Sequence, residues 1–223
     1  MSLTVNEGAA SAIPLLPEDV YPAVCVMLVD LGEQYSEKYD KTSRKVLIGW
    51  ELPGERLDNG EPRRLSNTYT ASLNAKGNLR KDLISWRGRD FTPDELKAFD
   101  LRNIVGVPCM ISVIHKLGQD GNKRAVIGGV MKLPKGMAPA APSVSPTIFD
   151  LDAPDAAARL GELPEWIQTR VKESETWKAM TDEAQYARAE QRGKAAEDAA
   201  ADPAAVAQIS EALAEEDDDA LPF

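Results

Sequence analysis

The sequence predicts a mainly β fold, a small five-stranded barrel with one helix inserted between its third and fourth strands. Three observations predict it. Five runs of β texture lie between Val20 and Lys135. A helical stripe separates the third run from the fourth. After Lys135 the composition changes abruptly, which confines the β texture to one domain, residues 17–135.

The first run, "VYPAVCVMLVDL", is apolar on both faces, as a central strand is. "RKVLIGWEL" alternates, with Val46, Ile48 and Trp50 on one face and Lys45 on the other. "RRLSNTYTASL" alternates too, setting Leu65, Tyr69, Ala71 and Leu73 against Arg64, Ser66, Thr68, Thr70 and Ser72. The helix follows in "NAKGNLRKDLISWRG", where Leu79, Leu83 and Trp86 fall at i, i+4 and i+7. Thr92 is the expected N-cap of a second, short helix with Pro93 at its first position. "GVPCMISVIHK" and "RAVIGGVMKL" complete the strands, joined by the turn-rich loop "LGQDGNK". Three strands, a helix and two strands is the pattern of an OB-fold, and other small β-barrels with one helix share it.

Outside this domain, residues 1–16 are read as a flexible leader and 136–148, with "GMAPAAPSVSP", as a Pro/Ala/Ser linker. Residues 149–180 are expected to be a helical extension, with Leu163, Trp166, Ile167 and Val171 on one stripe that packs on the barrel or forms a contact between copies. Residues 181–223 form an Ala-, Glu- and Asp-rich tail with too few large apolar side chains to offset the entropy of ordering. No apolar run has the length of a bilayer span, and the first residues lack a signal-peptide pattern, so the expected location is the cytoplasm. Cys25 and Cys109, each inside an apolar run, are expected to be buried free thiols.

Charge divides the chain. Residues 17–135 hold 19 Lys and Arg against 16 Asp and Glu, a balance of +3. Residues 136–223 hold 7 against 19, a balance of −12. A mildly basic domain tethered to an acidic tail suits a polyanion binder. The cations cluster on or beside the strands: Lys41, Arg44 and Lys45; Arg56, Arg63 and Arg64; Arg80, Lys81, Arg87 and Arg89; Lys116, Lys123 and Arg124. A single strand of nucleic acid needs such a groove for its phosphates and aromatic faces for its bases. The hydroxyl face of the third strand, Ser66 and Thr68 with Thr70, offers further backbone contacts. Parity places Trp50, Tyr69 and Trp86 with core residues. Trp50 and Tyr69 nevertheless lie on the second and third strands, which line an OB-fold groove, and are taken as candidate base stackers.

No enzyme constellation stands out. There is no phosphate-binding glycine loop, no nucleophile motif and no zinc spacing, and no cofactor is expected. His115, the only histidine, alternates with Ile111 and Val113 and reads as structural. Asp150 and Asp152 are a conceivable metal pair beside the linker, where a solvated turn is the simpler reading.

Residues 67–116, from "NTYTASL" to "SVIHK", resemble a family of bacteriophage-encoded, OB-fold single-stranded DNA-binding proteins. The segment "FDLDAPDAAARLGELPEWIQTRVKESETW" is similar to the extension those chains carry after the barrel. The end "DDDALPF" is similar to the acidic tip of bacterial single-stranded DNA-binding proteins, with Ala220-Leu221 where a single apolar residue is usual. The resemblance implies a non-enzymatic protein that coats single-stranded DNA during phage replication and recombination in the host cytoplasm. It implies that Asp217, Asp218, Asp219, Leu221, Pro222 and Phe223 recruit replication and repair partners. The competing readings are a protein-interaction or assembly module with a solubilising tail, and a nuclease using scattered carboxylates.

Overall fold

The structure is a computed structural model that describes residues 14–118, 120–139 and 141–183. The chain divides after Glu175 into two units. In the second unit the described residues, 176–183, are helical. The acidic tail and its tip lie outside the described residues. The sheet and the helices packed on it belong to the first unit.

The strands are β1 (Val20–Ser36), β2 (Lys41–Arg56), β3 (Pro62–Thr70), β4 (Pro108–Leu117), β5 (Lys123–Met131) and β6 (Thr147–Phe149). The helices are α1 (Asn78–Arg87), α2 (Pro93–Lys97), α3 (Ala156–Arg159) and α4 (Glu165–Lys172). The six strands form one sheet in the order β3-β2-β1-β4-β5, antiparallel except for β6, which lies parallel to β1. The sheet does not close into a barrel through hydrogen bonds, and β3 and β5 are its two edges. These edges nevertheless come together, because residues of both line the same clefts.

The length of β1 explains β6. Its first part, Val20–Val24, pairs with β4, which leaves Met27–Val29 with an open edge. Residues 147–149 take that edge. The predicted linker 136–148 therefore ends in a strand. It is also anchored midway, where the Ser143 amide donates to Glu51 Oε1 at 2.8 Å.

Two apolar layers result. The inner one holds Val46, Ile48 and Trp50 of β2, Tyr69 of β3, Cys25, Cys109 and Ile111, closed by Leu79, Leu83 and Trp86 of α1. The outer one holds Leu47 with Phe149, Leu151, Leu160, Leu163, Ile167 and Val171. Residues 149–172 thus cover the outer face of β1 and β2, and β2 is buried on both faces from Val46 to Leu52. Gly32 permits this approach. Its φ is +69°, and a Cβ there would lie 2.8 Å from Leu151 Cδ2. Replacing Ile167, which is fully buried, with Ala should cost about 2–5 kcal/mol. A thermal melt checks this, and an unchanged midpoint would show that the extension does not unfold with the sheet.

The end of the predicted leader is part of the core. Leu16 is buried, and its carbonyl meets His115 Nε2 at 2.8 Å, so that nitrogen donates. The His115 amide donates to Glu18 Oε1 at 2.6 Å, a structural role. The cysteines are free and buried, and burial raises both thiols, Cys25 to about 12. Thr92 caps α2 with a complete capping box, its hydroxyl accepting from the Glu95 amide and the Glu95 carboxylate accepting from the Thr92 amide.

Candidate nucleic-acid interface

β3 alternates between the two layers, so its even-numbered side chains face outward. Arg64, Ser66 and Thr70 are exposed and Thr68 is half-exposed. Lys45 of β2 pairs across from Thr70, and its Nζ donates to Thr70 Oγ1 at 2.7 Å. Beside this pair lies a cleft of about 570 Å³, lined by Lys41, Lys45, Asn67, Thr68, Thr70, Lys76 and Asn78 among others. A second cleft, of about 530 Å³, runs on between β3, α1 and β5 past Ser66, Lys81, Asp82, Lys116 and Gly128. The two share Asn67 and Asn78 and so form one trough across the β3 edge. Its lining carries Lys41, Lys45, Lys76, Lys81 and Lys116 against one acid, Asp82. None of these lysines makes an ion pair among the described residues.

Asp82 accepts from the Tyr69 hydroxyl at 2.8 Å. Burial raises the Asp82 carboxyl, and the Tyr69 bond only partly opposes it. Its neutral form therefore persists to higher pH than for an ordinary aspartate. The Tyr69 phenol is raised as well, first by burial and then by Asp82.

A third cleft of about 320 Å³ lies where Pro14–Leu16 meet β3 and β5, lined by Arg63, Arg64, Lys123 and Arg124. Arg63 is itself buried and donates to the Pro14 carbonyl, so it anchors the chain before β1 rather than facing a ligand. It shares the inward parity of Leu65 and Tyr69. Arg64 and Lys123 are exposed and make no ion pair among the described residues.

Several sequence candidates are buried or already paired. Trp50 is 1 % exposed and Tyr69 3 %, so neither ring can stack on a base. Trp50 packs against Trp86 with ring centroids 6.0 Å apart. Arg44 pairs with Asp30 and, at 2.7 Å, with Asp152. Arg80 pairs with Asp90 at 3.1 Å, and Arg124 with Asp120 at 2.8 Å. Arg87 and Arg89 both hold Glu95, and Arg87 also stands over the Phe91 ring at 4.3 Å. Their hydrogen bonds keep the Glu95 carboxyl down at about 2. These arginines fasten α1 to α2. Asp150 and Asp152 gather with Asp30, but the cation in that cluster is Arg44.

Two kinds of exposed aromatic appear that the sequence pattern did not single out. Tyr35 and Tyr39 project from the β1–β2 hairpin, Tyr39 with Lys38 Nζ over its ring at 5.3 Å and Lys41 two residues on. Their signal is a turn in which aromatics and lysines alternate, "YSEKYDK". Trp166 is expected on the buried stripe of the extension. The buried residues are Leu163, Ile167 and Val171, spaced by four, and Trp166 lies one position off that line with half its surface exposed. A cleft of about 250 Å³ separates it from β3, lined by Val26, Met27, Gly49, Arg64, Ser66, Pro164 and Trp166, with Trp50 and Leu65 also bordering it. No helix among the described residues is long and apolar enough to cross a membrane. Compared with known proteins, the chain matches no family model and no curated sequence.

Proposed function

We propose that the chain is a non-enzymatic single-stranded DNA-binding protein whose strand path is the lysine trough across β2, β3 and β5. The observation that carries this reading is the trough itself, with five lysines free of ion pairs among the described residues and a floor of Asn, Ser and Thr side chains against a single acid. Flexible ammonium groups over neutral hydrogen-bonding side chains suit a phosphodiester backbone without reading its sequence. The exposed tyrosines of the β1–β2 hairpin offer base contacts at one end. An OB-type topology is part of the proposal, supported by the strand order and by the approach of the β3 and β5 edges, the pair whose joining would complete such a barrel. The resemblance of residues 67–116 to phage-encoded DNA-binding chains favours DNA replication and recombination as the setting.

The test is a titration of the full chain with labelled oligo-dT at two salt concentrations, followed by incubation with magnesium. Binding that weakens steeply with salt, without cleavage, is the expected result. Absence of binding would leave an assembly module, and cleavage a nuclease.

The acidic segment belongs to the same proposal as a recruiting element, with the Phe223 ring as its anchor and Asp217–Asp219 drawn to a basic rim. Phe223→Ala should abolish capture of replication and repair partners while leaving oligo-dT affinity within about two-fold, because the charge is unchanged. Partner capture that survives the substitution would reduce the segment to a solubilising tail.

A further inference from the structure

We propose that the cleft between α4 and β3 is a base-stacking pocket, with Trp166 as platform and Arg64 as its phosphate contact. The segment after the sheet is then part of the nucleic-acid site. This rests on the DNA-binding reading and extends it.

Trp166 is 51 % exposed although it lies beside a well-formed apolar layer. The layer takes Ile167 and Val171, both fully buried, so α4 cannot roll to hide its indole. The helix is also pinned lengthwise. Arg170 Nη1 donates to Thr68 Oγ1 at 2.9 Å, and Gln34 Nε2 donates to the Arg170 carbonyl at 2.8 Å. The platform is therefore held in place before any ligand arrives. Its floor comes from a β-bulge. The register slips between Cys25 and Met27, so while Cys25 and Leu28 face the inner core, Val26 and Met27 both line the outer cleft.

Size and charge select the occupant. At about 250 Å³ the cleft falls below the roughly 300–1,000 Å³ of ordinary small-molecule pockets, which leaves room for one ring system. One wall is an aromatic face and the other carries an exposed arginine with no ion pair among the described residues. A flat ring attached to a phosphate fits that pair better than an aliphatic side chain. The cleft also joins the trough, because Ser66 lines both. A strand following the lysines reaches Trp166 without leaving the surface.

The test uses the full chain and fluorescein-labelled oligonucleotides of one length, either oligo-dT or the same backbone with abasic residues. Anisotropy is read for wild type, Trp166→Ala, Trp166→Phe and Trp166→Leu, with thermal midpoints as a folding check. Trp166→Ala should weaken oligo-dT binding roughly 5- to 150-fold, the range of one lost stacking contact, with the salt slope unchanged. Abasic binding should not change. Trp166→Phe should keep most of the affinity, and Trp166→Leu, which fills the space without a π face, should not. If wild type binds oligo-dT and Trp166→Ala or Trp166→Leu binds it equally well, the pocket is wrong and the DNA-binding reading stands. The pocket is equally wrong if Trp166→Ala alters only the sedimentation coefficient, which would make the cleft a contact between copies. If wild type binds neither oligonucleotide, the DNA-binding reading falls and takes the pocket with it.

Discussion

Changing Lys45, Lys81 and Lys116 together to Ala is expected to weaken oligo-dT binding on the order of 100-fold at 50 mM salt and to leave the thermal midpoint nearly unchanged. The three come from β2, α1 and β4, and the structure brings them to one trough from positions up to 71 residues apart. Each is expected to displace about 0.7 of a counterion from a single strand, so the plot of log affinity against log salt should become shallower by about 2. Stability should hold because none of the three makes an ion pair among the described residues. Lys45 loses only its bond to Thr70, on a solvated surface. The control is Arg44→Ala with Arg80→Ala, which removes as much charge per residue from cations already committed to Asp30, Asp152 and Asp90. That pair should cost stability and barely touch the salt slope. Equal effects of the two sets would mean that net charge, not the trough, governs binding.

The contrast between these sets marks where sequence reasoning stops. Alternation made the strands legible, and the Leu79/Leu83/Trp86 stripe of α1 is buried as read. Thr92 and Pro93 announced α2 by local chemistry alone. Neighbouring Arg63 and Arg64 separate by the same two-residue period, one turned inward to the Pro14 carbonyl and one outward to the clefts. Partner choice was not legible, because it depends on distant segments. Arg44 and Asp152 are 108 residues apart, and only the docking of residues 149–172 on β1 and β2 makes them a pair. The same docking buries β2 on both faces, which no single-strand pattern foretells, and supplies β6 from a stretch whose Pro and Ala content reads as a linker. Trp166 was within reach. Leu163 lies in extended backbone before α4, so within the helix Ile167 and Val171 set the buried line, and Trp166 stands about 100° from Ile167. Counting it with the stripe conceals the one large aromatic that the extension leaves in solvent.

Trp50→Ala should unfold the protein at lower temperature rather than strip it of DNA binding. At 1 % exposure the indole fills the centre of the inner layer against Trp86, 6.0 Å away with planes inclined at 52°. Emptying such a site costs about 3–5 kcal/mol. Loss of the aromatic pair lies within or slightly above that figure. A domain of this size loses about 2–4 °C per kcal/mol, so the midpoint should fall by roughly 6–20 °C. Below the new midpoint the folded fraction should bind oligo-dT within about two-fold of wild type, because Trp50 is almost fully buried and lines neither cleft of the trough. Trp50→Phe separates volume from chemistry. The buried indole N–H has no acceptor among the described residues, so removing it breaks no hydrogen bond, and the smaller ring should recover most of the lost stability. Circular dichroism melts and anisotropy on the same samples decide between the two roles. A Trp50→Ala protein that melts like wild type but has lost oligo-dT would return Trp50 to the binding surface. It would also mean that β2 turns its other face to the nucleic acid.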